Sequence, residues 1–355
     1  MIRQTTPTER QGLMNIFIYE HICGGGFAER EVPNVLRQEG WAMLNAIVAD
    51  FAALPDVNVA TSLDRRFAAE KLPAKTTLIN TVHQAKCQFD QLTTDADWTL
   101  VIAPEFDDIL YRLTVRVEQL GGRLLGSTPD AVRLGADKLT LADHWARHNV
   151  ATIPTQSIDL GKDGIPSADF PAVLKPRYGA GSVQTYLLRD QSELDTILAA
   201  ATDEDLPHPA IHQPYIEGDP ISMSFLVGAE QIIPMPPTRQ ILTDDGRFAY
   251  LGGEGPLEGP DVDAARDLAH RAVQSVEGLR GYVGVDLILA PAGPVVVELN
   301  PRLSTSYIGL RRMCEQNLAK TILDLANDQQ PDPLGWTQEL IRFTTEGQLD
   351  KTCVR

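Results

Sequence analysis

The chain has 355 residues, 43% of them hydrophobic, with a formal net charge of −17. That length exceeds one small core and implies two or three domains. The acidic balance excludes a general nucleic-acid binder, which needs surplus cations to displace counterions, so a polyanionic ligand requires a local cluster of lysines and arginines.

In chain order, residues 1–13 read as a loose extension, because the first strand signal is Asn15-Ile-Phe-Ile-Tyr19. A helix is predicted over 33–51, strands over 57–61 and 98–103, a helix over 106–120 and a short fourth strand over 122–125. Strands alternating with helices indicate a parallel α/β layer. Gly24-Gly25-Gly26 falls at the carboxyl end of the first strand, where open α/β sheets bind ligands, which makes Gly25 a candidate substrate contact. The spacing is not Gly-x-Gly-x-x-Gly, so a tight turn with no ligand is equally open. Glu29 either meets a substrate ammonium group or is an acid favoured at a helix start.

A helix over 131–149 carries Asp137-Lys138. A strand over 172–175 then ends in Lys175-Pro, followed by Arg177-Tyr-Gly179-Ala-Gly181-Ser182 and a strand over 183–188. Small residues let backbone N–H groups approach phosphate, and the lysine adds charge. The Gly-Lys-Ser/Thr ending of a Walker loop is absent, and a plain hairpin with a surface lysine remains open. Next, an apolar strand through Gln213-Pro-Tyr215-Ile216 breaks at Gly218 and resumes over 221–227, as a hinge would. Its backbone is suited to reading an adenine edge, with Ile216 covering the ring. Residues 234–260, with Arg239, Gly252 and Gly253, read as a mobile cover over a reaction centre. Helices are expected over 261–279 and 309–326.

Between those helices lie two apolar runs, 285–290 and 295–299, joined by Pro-Ala-Gly-Pro. This hairpin carries Asp286 on one arm and Glu298-Leu-Asn300-Pro-Arg302 on the other. Alternation puts Glu298 and Asn300 on one face, and folding brings Asp286 beside them. Three hard oxygen ligands suit Mg²⁺ beside nucleotide phosphates. Arg302 is suited to clamping developing negative charge. A sheet with ordinary polar positions is the bland alternative. The cysteines Cys23, Cys87, Cys314 and Cys353 form no Cys-x-x-Cys pair, which fits a reducing cytoplasm. No apolar run of about eighteen or more residues suggests a membrane span, and residues 1–12 lack a signal-peptide core.

The order of these elements resembles the ATP-grasp superfamily of carboxylate–amine ligases, in detail over 136–310. The resemblance implies an α/β fold, α+β in the grasp lobes. A Rossmann-like domain (14–128) would precede a linker helix (129–151), a small lobe (152–216), a C-terminal lobe with the metal hairpin (217–330) and a tail (331–355). It implies that Lys138 and Lys175 hold ATP phosphates, that Gly179, Gly181 and Ser182 close over them, and that Gln213, Tyr215 and Ile216 flank adenine. Asp286, Glu298 and Asn300 match the ligands of two Mg²⁺, with Mn²⁺ able to substitute. Lys175 and Arg302 match catalytic positions. The ribose-binding acid departs from the pattern: Asp219 stands one position early, and Glu217 is a rival.

The implied reaction passes through an acyl phosphate to an amide, with small-molecule acid and amine substrates, no nucleic acid and no membrane. A homodimer is the default assembly and the cytoplasm the default location. The opening strand with its Gly triplet, Ile102-Ala-Pro-Glu105-Phe-Asp and Tyr250-Leu-Gly252-Gly253 are similar to tyramine–glutamate ligase-like proteins, which serve one-carbon cofactor biosynthesis. Gly25, Glu29, Arg239, Gly252, Gly253 and Arg302 are the substrate-site candidates. Gly24–Val32 also looks like the first loop of D-alanine–D-alanine ligases, although the Asn300-Pro-Arg302 stretch departs from their pattern. A nucleotide-binding sensor without turnover is the remaining alternative.

Overall fold

The computed structural model describes residues 13–352 apart from 161–164, 167–168, 180, 201 and 203–204. The expected extension, except Leu13, therefore lies outside the described residues, as do Ala180 and Cys353.

The first layer is a parallel sheet in the order β3-β2-β1-β4, with β1 (Met14–Glu20), β2 (Val57–Asp64), β3 (Lys75–Ile79) and β4 (Trp98–Ile102). Helix α1 (Asn34–Ala52) connects β1 to β2, α2 (Val82–Asp95) connects β3 to β4, and α3 (Ile109–Gln119) follows β4. Both faces of β1 are covered, which explains its nearly unbroken apolar run. Strand β3 escaped the sequence reading because its outer positions are Lys and Thr. The expected strand over 122–125 amounts to a single bridge, Thr99 to Leu124.

The helix expected over 131–149 is two helices, α4 (Pro129–Ala136) and α5 (Lys138–Arg147). Asp137 breaks it with extended backbone (ψ 92°) and caps α5 through the Thr140 N–H. The second layer is a four-stranded antiparallel sheet of β5 (Gln156–Ile158), β6 (Ala172–Pro176), β7 (Tyr186–Leu188) and β8 (Ala210–Pro214), with α6 (Gln191–Ala200) packed on it.

The third layer has eight strands. These are β9 (Asp219–Val227), β10 (Ile232–Pro234), β11 (Thr238–Leu242), β12 (Tyr250–Gly255), β13 (Gly281–Ala290), β14 (Gly293–Asn300), β15 (Leu340–Thr344) and β16 (Leu349–Thr352). Helix α7 (Pro260–Gln274) packs its apolar face on β13 and β14. The helix expected over 309–326 is again a pair, α8 (Ser306–Met313) and α9 (Leu318–Ala326), broken around Cys314–Asn317.

The segment expected as a mobile cover is ordered sheet. Strands β11 and β12 pair with each other, β11 also pairs with β9, and β12 with β15. A side chain at Gly252 would collide with the Phe343 carbonyl, and one at Gly253 with the Phe343 ring and the Arg239 carbonyl. These glycines permit close strand packing. The composition was misleading because glycines needed for close packing look like loop residues.

One apolar core spans the first layer and α8–α9, joining Leu44, Ile47 and Phe51 to Tyr307, Ile322 and Phe343. A polar clamp seals that contact. The Tyr307 hydroxyl donates to Asp50 Oδ2 (2.6 Å), Arg311 Nε donates to the same carboxylate (2.8 Å), and Asn317 donates to the Asp50 carbonyl (2.8 Å). Among the described residues no helix is long and apolar enough to cross a membrane.

Candidate active site

The three layers enclose a cleft of about 470 Å³. Its floor is the β13–β14 hairpin, where Asp286 pairs in register with Glu298 and Gly284 with Asn300. A register shift just after Asp286 bends the strand there. Asn300 Nδ2 donates to Asp286 Oδ2 at 3.2 Å. Burial, then the charge of Glu298, pushes the Asp286 carboxyl up to about 7, against hydrogen bonds from Ser222, Asn300 and Gln240. Burial also works to raise Glu298, but Lys138 and Lys175 outweigh it and hold that carboxyl below its ordinary value. Among the described residues no three His, Cys, Asp or Glu side chains cluster as metal ligands. The donor set is two carboxylates and an amide, an all-oxygen set of the kind a hard divalent cation takes.

Lys138 and Lys175 reach the same hairpin from α5 and β6. Lys138 Nζ lies 3.1 Å from Glu298 Oε2 and donates to the Gly179 carbonyl at 2.8 Å. The break at Asp137 makes this possible, because it puts Lys138 at the first position of a new helix. Arg177 then locks Asp137 with paired bonds of 2.7 and 2.6 Å. Lys175 projects from β6 and is 7% exposed. Burial, then the nearby charge of Lys138, lowers it to about 8 despite Glu298 and Asp286. Two cations crowded in a low-dielectric cleft favour an anionic guest. Gly179, Gly181 and Ser182 line the cleft, and Gly181 and Ser182 have left-handed backbone (φ 69° and 59°).

At the far end, Gln213, Tyr215 and Ile216 line the wall with Val173, Leu287 and Ile288. Gln213 Nε2 is held by Thr155 Oγ1 (2.8 Å), and the Tyr215 N–H by the Pro171 carbonyl (2.7 Å). Tyr215 stacks on Phe248 with ring centroids 6.2 Å apart. The result is a flat apolar slot with polar edges.

Other sequence candidates do not gather here. Asp219 is exposed and pairs with Arg239 at 2.7 Å, and neither lines the cleft. Gln240 does line it, and strand alternation turns Arg239 to the opposite face. Gly252 and Gly253 are buried among strands rather than on the cleft wall. Gly25 packs toward Ile79 and Ala85 with φ 94°. Glu29 accepts the Val82 N–H at 3.0 Å, at the start of α2, and does not line the cleft. Glu29 therefore does not stand at the start of the helix that follows it, α1, which begins at Asn34; its carboxylate meets the first N–H of α2 instead.

Two acids that sequence reasoning passed over do reach the site. Glu105, just past β4 and 4% exposed, holds Arg302 by two parallel bonds, Nε to Oε1 at 2.8 Å and Nη2 to Oε2 at 2.9 Å. Arg302 Nη1 donates to the Leu303 carbonyl (3.2 Å). Burial works to lower the Arg302 pKa, but Glu105, Glu39 and Glu298 raise it above its ordinary value. Glu39, on α1, lines the cleft and accepts from the Thr305 hydroxyl at 2.7 Å. Glu105 sat in a motif noticed for its resemblance, whereas Glu39 carried no local signal.

Comparison with known proteins gives a consistent picture. A family model described as an ATP-grasp domain matches residues 135–306, and a pre ATP-grasp 3 domain matches 57–132. The tyramine–L-glutamate ligase of Methanocaldococcus fervens is 26% identical over 324 residues, covering 89% of this chain and 95% of that protein. The enzyme of the same name from Methanocaldococcus jannaschii is 27% identical, covering 89% and 90%. Among solved structures, an Archaeoglobus fulgidus protein assigned to the ATP-grasp superfamily superposes with a TM-score of 0.69 at 24% identity, covering 93% and 92%. The chain belongs to the ATP-grasp superfamily of ATP-dependent carboxylate–amine ligases.

Proposed function

We propose that this ligase joins a carboxylate of L-glutamate to a primary aromatic amine of the tyramine kind, with ATP converted to ADP and phosphate. The observation that carries the reading is the convergence of Lys138, Lys175, Asp286, Glu298 and Asn300 in one cleft. The substrate assignment is supported by the two similar ligases, which match along 89% of this chain.

The donor set is suited to Mg²⁺, two ions on this reading: burial and then the charge of Glu298 push Asp286 up, and a bound cation would offset both. When bound, Mg²⁺ neutralises charge on the triphosphate during phosphoryl transfer. Asp286, Glu298 and Asn300 would hold it, with Mn²⁺ a substitute of similar ligand preference. Lys138 and Lys175 would take the phosphates, with Gly179, Gly181 and Ser182 over them. Val173, Ile216 and Ile288 are suited to sandwiching adenine between apolar walls, with Gln213 and Tyr215 alongside. Asp219 would meet the ribose only by leaving Arg239.

The acid substrate's carboxylate oxygen attacks the terminal phosphorus and ADP leaves, giving an acyl phosphate. The nitrogen of the unprotonated amine then attacks the acyl carbon, and phosphate leaves with the electron pair of the broken C–O bond. The proton lost from nitrogen passes to the departing phosphate or to solvent. Arg302, oriented by Glu105, is the group suited to steady the tetrahedral charge. The enclosing layers limit water, which would otherwise hydrolyse the acyl phosphate.

The test is phosphate release from ATP and Mg²⁺ with L-glutamate and tyramine, the product read by mass. Formation of the glutamyl amide supports the reading. Phosphate release only with two amino acids would favour a dipeptide ligase. Tight ATP binding without turnover of any acid–amine pair would favour a sensor.

A further inference from the structure

Glu39 stands out because the mechanism above gives it no task. It projects into the cleft from the first layer, although it lies 266 residues from its hydrogen-bond partner Thr305. Its position is rigid. Glu39 and Asp50 are eleven residues apart on α1, about three turns, so they share a face. Asp50 is clamped to Tyr307 and Arg311 on α8. One face of α1 is thus fixed against α8 at one end and offers a carboxylate to the cleft at the other.

The surroundings of that carboxylate select its guest. The cations lining the cleft are Lys138, Lys175 and Arg302. The two lysines face the metal hairpin, and Arg302 is already bound by both oxygens of Glu105. Glu39 and Glu105 therefore outnumber Arg302, and the local field favours a cation. One turn before Glu39 on α1, Val35 and Leu36 line the same wall, so an apolar body and a cationic head are accommodated together.

We propose that Glu39 receives the ammonium group of the amine substrate and holds its nitrogen facing the acyl carbon, which the nitrogen attacks once it has released a proton to solvent. It is a specificity-determining residue: it favours a cationic amine over an uncharged nucleophile, and Val35 and Leu36 take the amine's apolar body. This inference rests on the ligase reading.

The experiment compares two nucleophiles with full-length enzyme, L-glutamate, ATP and Mg²⁺. One is the best of a panel of primary amines beginning with tyramine. The other is hydroxylamine, which is uncharged at neutral pH and yields a hydroxamate from an acyl phosphate. The quantity read is the ratio of kcat/KM for the amine to kcat/KM for hydroxylamine. Glu39→Gln keeps the shape and an acceptor for Thr305, and is expected to lower the ratio at least tenfold, mainly through the KM of the amine. Glu39→Asp is expected to restore part of it, and Glu29→Gln to change it less than twofold. Hydroxamate formation with no preference for any amine, or a ratio unchanged in Glu39→Gln, would overturn the inference and leave the ligase reading standing. Neither amide nor hydroxamate from the wild type would remove the ligase reading and this inference with it. A Glu39→Gln chain inactive toward both nucleophiles is judged by the Glu39→Asp ratio, where a drop supports the inference and no change opposes it.

Discussion

The two ends of the cleft are built differently. At the metal end, the ligands sit on short-range geometry: Glu298 and Asn300 are two apart on one strand, and Asp286 is opposite across a tight hairpin. At the substrate end, contacts join distant parts of the chain. Arg302 and Glu105 are 197 residues apart, and Glu39 and Thr305 are 266 apart. Strand pairing fixes the metal ligands locally, with Lys138 and Lys175 brought to them from α5 and β6, whereas the substrate end forms only when the N-terminal layer docks on α8. One end can therefore keep its chemistry while the other changes its guest.

Substitutions can break that contrast. The largest effect is expected from Glu298→Gln, which removes a charge between the lysines and Asp286; turnover should fall ~10³-fold by ADP release. Next is Glu105→Gln, which leaves the Arg302 guanidinium buried without its counter-charge. Stability should drop by about 3 kcal/mol in urea unfolding, and Glu105→Leu with Arg302→Met should recover much of it. An unchanged midpoint in the single variant would mean that the two layers are not coupled through this pair. Lys175→Ala should weaken ATP by about 2 kcal/mol, roughly 30-fold in Kd by calorimetry, with the fold intact. The smallest effect is expected from Asp137→Ala, which loses the α5 cap and the partly exposed pair with Arg177 and costs about 1.5 kcal/mol in thermal unfolding.

The same contrast explains what could be read from the chain alone. Asp286, Glu298 and Asn300 were legible because strand alternation and a hairpin turn are local rules. Lys175 was legible because it ends a strand before small residues. Lys138 was found by resemblance, and the reason for its placement, the helix break at Asp137, was not visible in an unbroken helical pattern. Gly252, Gly253 and Arg239 misled because a sheet that needs close strand packing uses the residues of a loop. Glu29 misled by standing in a loop beside a Gly triplet, when its carboxylate serves the backbone of α2. Glu39 is one acid on an ordinary helix, and only docking of α1 on α8 gives it meaning.

The most direct test of the central claim, ligation through an acyl phosphate, is isotope transfer. Glutamate labelled with ¹⁸O in both carboxylates is turned over with ATP, Mg²⁺ and tyramine, and the released phosphate is analysed by mass. Activation of the carboxylate at the terminal phosphorus predicts one ¹⁸O atom in inorganic phosphate and ADP as the nucleotide product. Unlabelled phosphate, or label recovered in AMP, would contradict it.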